Sequence, residues 1–85
     1  MNEWLEAARR RLAEAVGEDV SGYDLSPADV ERILELSRVA AHDSGERTNA
    51  PLLSYLVGLA RGRNAERSLG ELAEKASGAR FGGID

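Results

Sequence analysis

Asn49-Ala50-Pro51-Leu52-Leu53-Ser54-Tyr55-Leu56-Val57-Gly58-Leu59-Ala60-Arg61-Gly62-Arg63 is the stretch on which the fold turns. It opens on a capping residue with proline in the first turn, where proline's missing N–H costs a helix nothing. From Leu52 onward, apolar residues fall nearly all round a helical wheel, the pattern of an element covered on several sides. Gly58 and Gly62 stand four apart on one face, and each costs about 1 kcal/mol relative to alanine in a helix. That cost points to a packing reason, the close approach of another helix of the same chain, or, for Gly62, to the helix end.

Working outward, three more helices flank this one. Residues 26–45 begin with the clearest start in the chain: Ser26 as N-cap, Pro27 at the first position, then Asp29 and Glu31 near the positive end of the dipole. The apolar face of this helix is Val30, Ile33, Leu34, Ser37, Ala40 and Ala41, and Gly45 ends it. Upstream, Trp4, Leu5, Ala8, Leu12, Ala15 and Val16 recur at three- and four-residue steps between a capping Asn2 and a terminating Gly17. Glu6 precedes Arg10 by four residues, the favoured orientation for an intrahelical pair. Downstream, Leu69, Leu72, Ala73 and Ala76 line a helix between Asn64 and Ser77, and Ser68 with Glu71 makes a capping-box pattern. The connector 17–26 is long enough to need anchoring, so Val20, Tyr23 and Leu25 are expected to fold back on the core. No strand pattern interrupts the series.

Length and charge bound what such a chain can be. Eighty-five residues give one core, with no cysteine and one histidine to staple it, so apolar packing must hold it. The reading is an all-α, compact bundle of three to four helices. The single domain spans 1–78, with a frayed tail at 79–85. The third helix is expected at its centre, and Leu5, Leu12, Ile33, Leu34, Leu53, Leu56, Leu59 and Leu72 in its core. An all-round apolar helix gains from a second surface, which makes a homodimer one expected arrangement. A net charge of -4 argues against a general nucleic-acid binder. MNEWLEAARRR is too charged for a signal peptide, and no run nears the ~20 apolar residues that span a bilayer. A cytoplasmic protein is expected, free of the membrane. Residues 18–36 hold six acids against Arg32 alone, whereas residues 37–63 hold four arginines against Asp43 and Glu46.

Candidate chemistry is sparse. Arg9-Arg10-Arg11 lies opposite the Trp4–Ala8–Leu12 stripe and reads first as a solvated face, second as a phosphate grip. His42 has no second histidine or cysteine to share a metal, so no metal is expected and no cofactor loop is visible. No serine or threonine has a nucleophile's context, so no catalytic residue is assigned. The remaining cluster is His42, Arg47, Asn49, Arg61 and Arg63. One histidine, three arginines and the N-terminus of the third helix fall within a short span of sequence, and unpaired amides at such a terminus bind anions. The simpler alternative has Arg47 capping the carbonyls of the preceding helix.

The same region carries a resemblance. Leu36-Ser37-Arg38-Val39-Ala40-Ala41-His42, then Arg47, then Ala50 to Arg63, resembles a small uncharacterised helical domain of actinobacteria, with Trp4-Leu5 matching its usual start. Its marks are an Ala-His helix end, an Arg ahead of Ala-Pro, and a Leu-Val-Gly-Leu-Ala-x-Gly-Arg helix. This chain departs from them at Thr48-Asn49 and at Leu53. Similar domains occur alone or fused behind molybdopterin-guanine dinucleotide biosynthesis protein A, the molybdenum cofactor guanylyltransferase. The resemblance implies a non-catalytic accessory or interaction domain in molybdenum cofactor biosynthesis, with that transferase as partner. The alternatives are a small anion- or nucleotide-phosphate-binding module and a structural or regulatory bundle with no molybdenum link.

Overall fold

The computed structural model describes residues 2–78, and the expected tail 79–85 lies outside them. The order is α1 (Glu3–Val16), a 3-10 turn (Val20–Tyr23), α2 (Pro27–Ser44), α3 (Asn49–Arg63) and α4 (Leu69–Ser77). The domain is an all-α bundle. Gly17 and Gly45, each read as a stop, and Gly78 after α4 all sit at positive φ, a conformation that glycine adopts without a Cβ clash.

Local chemistry fixes the helix starts. Asn2 Oδ1 accepts the Leu5 amide at 2.8 Å. At Ser26 the capping box closes on both sides: its hydroxyl accepts the Asp29 amide at 3.0 Å, and the Asp29 carboxylate accepts the Ser26 amide at 3.2 Å. Ser68 accepts the Glu71 amide at 3.0 Å, so α4 starts at residue 69, where the Ser68–Glu71 pattern points, and not at Asn64. Helix α3 differs from the expectation. Its N-cap is Thr48, in helical conformation and with no side-chain cap bond, and Asn49 is already inside the helix.

Packing divides the molecule. Helices α2, α3 and α4 pack mutually, while α1 packs only against the 3-10 turn among the described elements. The bundle core takes one fully buried side chain from each of its helices, Leu36, Val57 and Ala73, with Val39, Leu53, Leu69 and Leu72 half-buried around them. Across the α2–α3 seam the hydroxyls of Ser37 and Ser54 meet at 3.2 Å. Where α4 passes α2, the Arg32 guanidinium occupies the place where a Cβ on Gly70 would stand.

Several expectations fail here. Leu5, Leu12, Leu34, Leu56 and Leu59 are exposed rather than core and Ile33 is half-buried outside it, whereas Leu53 and Leu72 do pack against the core. Helix α3 is not central: three helices packed around a common axis each bury one stripe, and the opposite face of α3 is left bare. Nothing packs into Gly58 or Gly62, where a Cβ would meet no atom within 4 Å.

Candidate functional site

The five residues picked out by sequence do not converge. His42 and Arg47 are exposed, at the last turn of α2 and in the α2–α3 turn. Asn49 is half-buried in a hollow of about 330 Å³ that α2, α3 and α4 form with Leu52, Leu53 and Ala76. Arg61 and Arg63 lie at the far end of α3, about 20 Å away at 1.5 Å rise per residue. Arg61 donates to the Ala65 carbonyl at 3.1 Å and so ties the α3–α4 link. The amides at the start of α3 are already used: Asn49 N donates to the Glu46 carbonyl and Ala50 N to the Arg47 carbonyl, both at 3.1 Å, and Pro51 has none. The capping given to Arg47 is done by Ser44, whose hydroxyl donates to the Ala40 carbonyl at 2.6 Å and accepts the Glu46 amide at 3.1 Å.

Sequence reasoning missed the larger feature, an open cleft of about 740 Å³ between α1 and the bundle. Leu5, Ala8 and Leu12 form its α1 wall. Ile33 of α2, Gly58 of α3 and Leu69 of α4 form the facing wall. The stripe on α1 was legible; what it faces was not, because a helical wheel says which side is apolar and never which element covers it. Trp4, the one tryptophan, is 74% exposed at the start of α1.

The cleft keeps its shape through Arg9. The Arg triplet is not one solvated face: the Arg9 side chain is only 15% exposed, while Arg10 and Arg11 are open. Arg9 reaches the Glu6 carboxylate at 2.7 Å rather than leaving Glu6 to Arg10, donates to the Val20 carbonyl at 2.8 Å, and pairs with Asp24. One guanidinium therefore joins α1, the 3-10 turn and the connector, a use that suits its fork of five donors. Its hydrogen bond and charge hold the Glu6 carboxyl below the usual carboxylate range, and Glu6 in turn raises Arg9. The Ser21 amide, donating at 2.9 Å, lowers Asp19. Tyr23 donates to Glu18, and that bond raises the phenol. Among the described residues, these perturbed groups all belong to α1 and its turn.

Fold and site together define a small all-α domain with an apolar cleft under a laterally attached helix. The chain belongs to the family described as a domain of unknown function, DUF6457, whose model matches residues 1–80. No curated protein and no solved structure matches it. Among the described residues no helix is long and apolar enough to cross a membrane, and no cluster of three or more His, Cys, Asp or Glu could hold a metal.

Proposed function

We propose that this chain is a non-catalytic, cytoplasmic interaction domain, and that its cleft receives an apolar element of a partner protein. The observation that carries the reading is the α1 stripe of Leu5, Ala8 and Leu12, which lines a cleft of about 740 Å³ instead of packing on a helix. Burying such side chains is worth about 25 cal/mol per Å², so an open apolar wall is a reserve of binding energy. The serines that cap helices support the non-catalytic part: the hydroxyls of Ser26, Ser44 and Ser68 are all committed to backbone groups. The resemblance described above makes the molybdenum cofactor guanylyltransferase the partner to test first. Anion binding by His42, Arg47 and Asn49 has less support, because the amides it would use are bonded and the hollow that Asn49 lines is not lined by His42 or Arg47.

Purified guanylyltransferase titrated into this chain, followed by Trp4 emission and calorimetry, tests the reading. Binding with a blue shift of Trp4, lost in Leu12→Glu at the exposed cleft wall, is the expected result. Absence of binding, or equal binding by Leu12→Glu, defeats it. Heat of binding with GTP that vanishes in Arg47→Ala would favour the anion-binding module instead. Turnover of any substrate by the purified chain would defeat the non-catalytic part.

A further inference from the structure

The hollow between α2, α3 and α4 is apolar over most of its wall and lies where α4 ends. Val39, Leu52, Leu53, Leu56 and Ala76 line it, and Leu52 and Leu56 remain 62% and 56% exposed. Asp43 is the one charged side chain in that lining, and it makes no ion pair among the described residues.

Size, position and charge say what covers it. One turn of helix, about 10 Å across and 5.4 Å long, takes up roughly 400 Å³, more than the hollow's volume of about 330 Å³. The space suits a side chain better than a helix. Its position points to which one. Ala76 and Ser77 belong to the wall, and at Gly78 the backbone takes positive φ and its amide returns to the Glu74 carbonyl at 2.9 Å, turning the chain off the helix axis. The sequence then reads Ala79-Arg80-Phe81 and holds no other phenylalanine. Phe81 comes four residues after Ser77, and four residues span at most ~14 Å, a tether anchored at the wall itself. Charge agrees: Arg80 stands next to Phe81, so a ring entering the hollow brings a guanidinium toward Asp43.

We propose that this hollow is the docking site of the chain's own C-terminal segment, with Phe81 seated among Val39, Leu53 and Leu56 and Arg80 paired with Asp43. One phenylalanine buries about 150–250 Å², far below the ~800 Å² per partner of a stable interface between separate molecules. A short tether removes that requirement, because it holds the ring near its site at an effective concentration in the millimolar range. The aperiodic segment is then tied down in place of the fraying that its sequence predicts.

Fluorine NMR on the full chain carrying 4-fluorophenylalanine tests this, since the one phenylalanine gives one resonance. The expected resonance lies away from its position in denaturant, and in unlabelled aromatic protein the Phe81 ring shows NOEs to methyl groups of Leu53 and Leu56. Leu56→Lys, at an exposed position that spares the fold, should move the resonance to its denatured position while helical circular dichroism is unchanged. Asp43→Lys should move it part of the way. Phe81→Ala should lower the melting temperature by about 4–8 °C. A native resonance already at the denatured position overturns the proposal, as does one that Leu56→Lys leaves in place. Ring NOEs found only between copies in a mixed-label sample, or to Leu5 and Leu12 of the cleft, also overturn it, by giving the hollow a different occupant or the ring a different site.

Discussion

The α2–α3–α4 bundle and the arm made of α1 with its 3-10 turn are held by different physics. The bundle rests on Leu36, Val57 and Ala73, each nearly devoid of water contact, with one hydroxyl pair between its helices. The arm buries Ala13 alone and is tied by polar contacts radiating from Arg9, with Asp19 and Glu18 fastening the turn. Apolar burial does not titrate, and its strength grows with area; exposed polar ties weaken with acid, base and salt. The two parts of one small chain should therefore fail under different conditions.

The comparison breaks most violently at Leu36. Leu36→Ala leaves a cavity where three helices meet and should cost roughly 3 kcal/mol, enough to bring much of this chain to its unfolding midpoint, as measured by denaturant titration. Arg9→Met spares the bundle and should release the arm: amide exchange in Val20–Tyr23 should accelerate roughly tenfold or more while Leu36 and Val57 keep their protection.

Acidity sharpens the same contrast. Glu6 and Asp19 have lowered pKa values in the fold, so they stabilise the arm at neutral pH and lose that contribution as pH falls through their folded values, beneath the ordinary carboxylate range. Tyr23 is raised, so its contribution is present below the unfolded phenol pKa and disappears as pH climbs through the higher folded value. Trp4 emission should thus change at both extremes before helical circular dichroism from the bundle does.

Capping gives the smallest effects and an internal control. Ser26→Ala, which breaks a reciprocal box, should lower stability by about 1 kcal/mol. Thr48→Ala removes no cap bond and should change melting by only a few tenths of a kcal/mol.

The sequence announced its helix ends better than its packing. Asn2, Ser26 and Ser68 were readable because a cap acts on amides three residues away. Thr48 was passed over for Asn49 because both are capping types and the choice depends on backbone angles. The leucine core was overdrawn for another reason. Apolar spacing marks Leu5, Leu12, Leu56 and Leu59 correctly as stripe residues, yet a stripe can face a cleft or solvent as readily as a neighbour. Of the residues singled out by sequence, Arg61 lines the cleft, though the sequence placed it in a different cluster. The wall on α1 was out of reach of sequence, because Arg9 brings it there through contacts 11 and 15 residues apart.

The paired hydroxyls of Ser37 and Ser54 have a consequence for uniqueness rather than strength. Greasy surfaces alone can slide past one another by a turn and find new leucines to touch. Two half-buried alcohol groups between helices find each other in a single alignment, and sliding would part them. A domain with so few interior side chains is thereby kept to one register.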